Sequence, residues 1–114
     1  MKLTFLYQPV RDIKESVAFY RGLGLDEAWR EGDGTVAFKL PGSPVELMLD
    51  QVSGDDSGPG GFFEVESVDK YIAEHRDFDW QGDVFDMPGG RGASFRDPSG
   101  NWIHLFDQSA AGPE

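Results

Sequence analysis

The chain has 114 residues, with 10 Lys and Arg against 21 Asp and Glu, and a formal net charge of −11. This acidic balance repels phosphate backbones and anionic lipid, so it argues against nucleic-acid and membrane-surface partners. Cysteine is absent, which excludes thiol nucleophiles, disulfides and cysteine-type zinc sites. Because no apolar run approaches the roughly 20 residues of a transmembrane helix, the sequence predicts a soluble, cytoplasmic protein.

The first half of the chain predicts one strand, one helix and three further strands, separated by turns rich in Gly and Pro. Asp12 lies three residues before Glu15, a pair typical of a helix start. Gly22 and Gly24 mark the end of that helix, and Gly32 begins a hairpin turn. The predicted strands are residues 3–10, 25–30, 35–40 and 45–50.

The second half repeats this order after an acidic, Gly-rich connector at residues 52–59. Ser67 is a candidate N-cap for a helix that runs to about residue 76. The predicted strands are residues 61–66, 83–87, 92–96 and 102–107, and residues 109–114 are expected to form a frayed tail.

An internal repeat relates the two halves. An offset of 55 residues places Ile13 on Val68, Val17 on Ile72 and Ala18 on Ala73. The simplest account is an α+β fold in which one domain, residues 1–114, contains two βαβββ modules at about 1–51 and 60–108.

Strand alternation separates an aliphatic face from a mixed aromatic and polar face. Val45, Leu47 and Leu49 share one face of their strand, whereas Glu46 and Met48 share the other. The aliphatic faces are expected to pack under the helices, and the mixed faces to line a ligand cavity. The candidate ligand-binding residues are Phe5, Tyr7, Glu46, Met48, Phe62, Glu64, Trp102, His104 and Phe106.

Each candidate also has a plain structural interpretation. The aromatic residues are typical of a core or a dimer interface, and Glu46 could be a strand carboxylate paired with Lys or Arg. His104 could be a buried imidazole bound by a neighbour, and His75 lies where a helix C-terminus would hold it. Trp29 and Trp80 are expected to be packing residues.

Two stretches carry a resemblance to a known family: residues 9–25 (PVRDIKESVAFYRGLGL) and residues 95–106 (FRDPSGNWIHLF). They resemble the opening and ending motifs of the vicinal-oxygen-chelate superfamily, which includes glyoxalases, bleomycin-resistance proteins and extradiol dioxygenases. The resemblance implies a cupped mixed β-sheet made by the two modules, with the helices on its outer face.

The resemblance also bears on a metal ion. The four ligand positions of the metal-dependent members carry over to Phe5, Glu46, Gly60 and His104, of which only Glu46 and His104 have metal-binding side chains. Residues 90–106, including His104 in place of the usual Glu, resemble the ending of the metal-free bleomycin-resistance proteins. That branch implies a homodimer without a cofactor.

Three functions remain open. The leading one is a metal-independent binding protein of the antibiotic-resistance type that sequesters an aromatic, cationic small molecule and catalyses no reaction. The alternative is a lyase, isomerase or dioxygenase that uses a divalent metal ion bound by Glu46 and His104. The third is an accessory dimer that binds no ligand.

Overall fold

The computed structural model describes residues 1–53, 57–87 and 89–109. The chain is α+β, and the element order is strand, helix and three strands, given twice. The elements are β1 (Lys2–Val10), α1 (Ile13–Gly22), β2 (Glu27–Glu31), β3 (Thr35–Lys39), β4 (Glu46–Gln51), β5 (Gly60–Glu64), α2 (Val68–Glu74), β6 (Asp79–Met87), β7 (Gly90–Arg96) and β8 (Trp102–Phe106). Residues 4–59 form one compact unit, the N-terminal module, and residues 60–114 with 1–3 form another, the C-terminal module.

The sheet of the N-terminal module has the strand order β2-β3-β4-β1. Strands β1 and β4 are parallel, as a crossover through α1 requires, and the other pairs are antiparallel. Helix α1 begins where the Asp12 carboxylate accepts from the backbone N–H of Glu15 at 3.1 Å, so the predicted cap is confirmed. The helix covers the aliphatic face of this sheet, and the core consists of Ile13, Val17, Val36, Phe38, Leu47 and Leu49.

The C-terminal module repeats this arrangement in the order β5-β8-β7-β6, with β5 and β8 parallel. Ser67 caps α2 by accepting from the backbone N–H of Lys70 at 3.2 Å, as predicted. His75 follows the helix, and its Nδ1 lies 2.8 Å from the carbonyl oxygen of Tyr71. The core below α2 consists of Val65, Val68, Ala93, Phe95 and Leu105, and Trp80 packs against it as expected.

In both modules a side chain at the end of a strand accepts a hydrogen bond from the backbone N–H of the first helical residue. In the N-terminal module the Gln51 side chain accepts from the backbone N–H of Ile13 at 2.9 Å. In the C-terminal module the Asp107 carboxylate accepts from Val68 at 2.7 Å and from Arg91 at 2.9 Å. Both acceptors satisfy an N–H group that the first turn of a helix leaves without a partner.

Several predicted boundaries need correction. The sixth strand begins at Asp79 rather than at residue 83, because Asp79 and Trp80 pair with Arg96 and Phe95 of β7. Strand β7 begins at Gly90 rather than at residue 92, and β5 spans Gly60–Glu64 rather than residues 61–66. Part of the connector (residues 54–56), Pro88 and most of the predicted tail (residues 110–114) lie outside the described residues. Within the described part of the chain, neither helix is long and apolar enough to cross a membrane.

Candidate functional site

The face of the N-terminal sheet opposite α1 carries the predicted ligand-binding residues of this module. The β1–β4 register pairs Phe5 with Glu46 and Tyr7 with Met48, so these four side chains lie on one face, as alternation predicted. Lys39 of β3 pairs with Glu46 of β4, and Trp29 of β2 pairs with Ala37 of β3. Apolar walls and a few polar groups therefore share this surface.

Glu46 is held by an aromatic neighbour rather than by a cation. The indole N–H of Trp29 donates to Glu46 Oε1 across 2.8 Å, and both residues are half-buried. Phe5 meets Trp29 edge to face, with ring centroids 5.7 Å apart. The result is a carboxylate with one oxygen fixed by a hydrogen bond beside two aromatic rings.

A second polar group lies further along the same face. The Tyr7 hydroxyl donates to Asp50 Oδ2 at 3.2 Å, and the Thr35 hydroxyl donates to Asp50 Oδ1 at 2.8 Å. Burial of Tyr7 and the nearby Asp50 charge raise its pKa above the ordinary value, although a hydrogen bond with Ser57 acts the other way. Tyr7 therefore stays a neutral donor near pH 7, and Asp50 is committed to two hydroxyl groups.

In the C-terminal module His104 lies within a stack of rings. Its imidazole is 5.1 Å from the ring of Phe62 and 5.7 Å from that of Trp102, with interplanar angles of 20° and 13°. Its Nδ1 shares a 2.6 Å hydrogen bond with the hydroxyl of Ser94, which lies opposite it on β7. Only 1% of His104 is exposed, so its Nδ1 and its ring are used within the protein.

The remaining predicted residues of this module flank the stack. Phe106 meets Phe62 edge to face at 5.7 Å, and Glu64 pairs with Phe106 in the β5–β8 register. Trp102 begins β8 and is half-buried, and the guanidinium of Arg96 lies over its ring, 4.5 Å from the centroid. All nine predicted residues thus lie on the sheet face away from the helix of their own module.

Exposure divides these nine residues into two sets. Phe5, Glu46, Glu64 and Trp102 are half-buried and within reach of a small molecule. The other five have exposed fractions of 7% or less, namely Tyr7, Met48, Phe62, His104 and Phe106. The second set lies on the same sheet faces but has almost no exposed surface of its own.

Sequence reasoning missed several polar partners on these faces. Trp29 was expected to pack only, yet it also holds Glu46, and Asp50, Ser94 and Arg96 were not considered. Alternation along β7 would have placed Ser94 and Arg96 on one face. Alternation in β2 gives no such signal, because the register shifts between Glu27 and Trp29.

Comparison with known proteins identifies the family. The model of the Glyoxalase/Bleomycin resistance protein/Dioxygenase superfamily matches residues 2–105. The chain belongs to this superfamily. No curated protein matches the sequence.

Solved structures of the superfamily fold agree. Methylmalonyl-CoA epimerase from Mycobacterium tuberculosis is 19% identical with a TM-score of 0.73, covering 97% of this chain and 92% of its own. A hypothetical protein from Bacillus halodurans C-125 is 17% identical with a TM-score of 0.71, covering 99% and 98%. A superfamily member from Vibrio splendidus 12B01 is 17% identical with a TM-score of 0.61, covering 90% and 94%. At these identities the likeness establishes the fold and not an activity.

The donor set of this superfamily member does not fit the metal site that the resemblance implies. Phe5 and Gly60 occupy two of the four ligand positions, and neither has a side-chain donor. The His104 Nδ1 is bonded to Ser94, and Glu46 Oε1 is bonded to Trp29. In the described ranges no three His, Asp or Glu side chains are grouped to hold an ion, whereas a catalytic zinc site uses three protein ligands.

Proposed function

We propose that the protein is a metal-independent small-molecule-binding protein of the bleomycin-resistance type, and that its ligand is an aromatic cation. Binding sequesters the compound without transforming it. The observation that carries the proposal is the Glu46 carboxylate, half-buried and fixed by the Trp29 indole beside Phe5.

The chemistry of this group suits a cation with an aromatic body. A hydrogen bond from a neutral donor does not neutralise a carboxylate, and the second oxygen of Glu46 has no hydrogen bond within the described residues, so it can accept from an ammonium or guanidinium. Aromatic faces attract cations, with about 0.5–2 kcal/mol per contact and more where water is excluded. The net charge of −11 adds a long-range attraction for the same class of ligand.

The C-terminal module does not offer an equivalent place for a cation. Its half-buried ring, Trp102, lies parallel to His104, which Ser94 and Phe62 fix in turn. The guanidinium of Arg96 already lies over the Trp102 ring, 4.5 Å from its centroid. The proposal therefore places the cation beside Glu46, Trp29 and Phe5 of the N-terminal module.

A panel of small aromatic compounds that differ only in charge tests the proposal. Benzyltrimethylammonium, benzyl alcohol and phenylacetate would be titrated while the melting temperature and the tryptophan fluorescence are recorded. We expect the ammonium compound to raise the melting temperature most, since a ligand at 100 times its Kd stabilises the folded state by about 2.7 kcal/mol.

A matched pair of variants locates the binding. Glu46→Gln and Glu74→Gln each remove one negative charge, but Glu74 lies exposed on α2. Glu46→Gln should bind the ammonium compound more weakly than the parent protein, whereas Glu74→Gln should bind it as the parent protein does. A ligand response that is equal for cationic and neutral compounds, or equally lowered in both variants, would refute the proposal.

A further inference from the structure

Arg96 occupies an unusual place for a cation in this acidic protein. It is half-buried in β7, on the face that also carries Ser94, and it pairs with Trp102 of the neighbouring strand β8. Its guanidinium carbon lies over the Trp102 ring, 4.5 Å from the centroid. A guanidinium stacked on a ring is held in one plane, and its N–H groups point outward from the edge of that plane.

The Nε–H of this guanidinium is buried, and it finds no acceptor in the described part of the chain. Buried donors in folded proteins almost always have a partner, because an unpaired donor has lost its water without compensation. In a guanidinium the Nε–H and the neighbouring Nη–H point the same way and together match the two oxygens of a carboxylate. The unpaired atom of Arg96 therefore belongs to the edge of the group that recognises planar anions.

Nearby carboxylates do not neutralise Arg96. Asp97 follows it directly, but its oxygens accept from Ser99 and Asn101 within the turn, and these bonds lower its pKa. Asp79 pairs with Arg96 in the β6–β7 register, yet it is exposed and forms no ion pair with it in the described ranges. By contrast, Arg21 and Arg30 both bind Glu27, and Arg91 binds Asp69.

We propose that Arg96 is an anion-binding residue, and that the group it takes is the carboxylate of an aromatic acid. The two ligand oxygens would accept from Nε–H and Nη–H in the plane of the guanidinium, and Trp102 would hold that plane in position. The inference goes beyond the proposed function, because it requires neither Glu46 nor a cationic ligand. It gives the C-terminal module an anchor of its own for a charged ligand.

Nuclear magnetic resonance of the intact protein tests this directly, since arginine Nε–H groups give their own signals in nitrogen–proton correlation spectra. Benzoate would be titrated into the ¹⁵N-labelled protein, with benzyl alcohol as the neutral control and inorganic phosphate as the non-planar anion. We expect benzoate to shift the Arg96 Nε–H and Trp102 indole N–H signals, benzyl alcohol to leave them in place, and phosphate to bind more weakly.

Three variants make the result decisive, and their backbone spectra report whether each one is folded. Arg96→Gln and Arg96→Lys should weaken benzoate binding by about 10- to 100-fold, because both lose the Nε donor and Lys retains only the charge. Arg76→Gln removes an exposed charge near α2 and should bind benzoate like the parent protein. Unshifted Arg96 signals in benzoate, equal binding by Arg96→Lys, or tighter binding of phosphate than of benzoate would overturn the proposal. Loss of cation binding in Glu46→Gln with benzoate binding retained would separate this proposal from the proposed function.

Discussion

The indole N–H of Trp29 donates to the carboxylate of Glu46 across 2.8 Å, joining β2 to β4 over the strand between them. This bond places a charged group on the aromatic face of the N-terminal sheet without the help of a cation. In the described ranges Glu46 has no ion-pair partner, although Lys39 is its register neighbour on β3. The charge of Glu46 therefore remains available to a ligand.

Replacing Trp29 by Phe removes the N–H donor and retains an aromatic ring. We expect Trp29→Phe to lower the free energy of unfolding by about 1 kcal/mol and also to weaken binding of aromatic cations, because the carboxylate loses its fixed direction. Urea unfolding and a fluorescence titration measure the two effects.

Trp80→Phe is the matched control, since Trp80 donates to the carbonyl of His75 at 2.8 Å in the core under α2. That variant should lose stability but keep its affinity, and an equal loss of affinity in both variants would contradict the role of Trp29.

Asp107 is the buried carboxylate on which the C-terminal module depends. It is 1% exposed and accepts from Val68, Arg91 and Ser109, whose side chain and backbone both donate to it. An amide in its place brings two N–H hydrogens where only acceptors fit. We expect Asp107→Asn to lower the free energy of unfolding near neutral pH by about 1–3 kcal/mol, measured by urea unfolding. Asp77→Asn, at an exposed position, should change it little.

Ionisation of the same carboxylate makes the free energy of unfolding depend on pH in the acidic range. Burial opposes ionisation of Asp107, but the donors from Val68, Ser109 and Arg91 outweigh burial and hold its pKa below the ordinary value. Because the pKa of Asp107 is lower in the folded state, its ionised carboxylate stabilises the fold fully above the unfolded pKa, about 3.9. This contribution to the free energy of unfolding is lost as the pH falls through the folded pKa. The stability difference between the parent protein and Asp107→Asn should therefore narrow below about pH 4. A difference that stays constant down to acid unfolding would contradict this linkage.

Metal content is a separate prediction, based on Phe5 and Gly60 at two of the four ligand positions that the family resemblance implies. Protein purified without a chelator should contain well under one equivalent of zinc, nickel, iron or manganese by elemental analysis. Dialysis against a chelator should leave ligand binding unchanged. A stoichiometric ion that disappears in Glu46→Gln would show instead that the superfamily's metal chemistry operates here.

Assembly into a homodimer remains a prediction. The edge strands β2 and β6 and the aromatic sheet faces are better protected from aggregation when two copies pair. The apolar side chains of Phe19 on α1 and Leu23 just after it, each 62% exposed, are further surface that a partner could cover. Light scattering at high micromolar concentration should give twice the mass of 12.6 kDa. A monomer at that concentration would refute the prediction.

The sequence predicted the faces of the central strands because burial under a helix imposes strict alternation. Leu47 and Leu49 pack in the core with α1, so Glu46 and Met48 must lie on the other face, and Leu105 fixes His104 in the same way. The helix starts were equally predictable, because Asp12 and Ser67 cap them through local hydrogen bonds. These are the places where a short stretch of sequence determines the structure by itself.

The partners of the candidate residues could not be predicted, because they come from distant strands. Trp29 reaches Glu46 from a strand whose register shifts after Glu27, so alternation gave no direction for its side chain. The start of β6 was missed for a related reason. Asp79, Gln81 and Asp83 make it polar, and Gly82, at φ 68°, interrupts its regular pairing with β7. Only pairing with β7 makes this segment a strand.

A titration of Glu46→Gln with benzyltrimethylammonium isolates the contribution of the Glu46 charge to ligand binding. Gln keeps the shape and the acceptor for Trp29 but removes the charge. We expect its Kd to rise by an amount equal to about 1–3 kcal/mol, while its free energy of unfolding is unchanged or slightly higher. Added salt should weaken the parent protein more than the variant, because only the parent has a Coulombic attraction at this position. Equal affinity and equal salt dependence in the two proteins would show that Glu46 does not bind the cation.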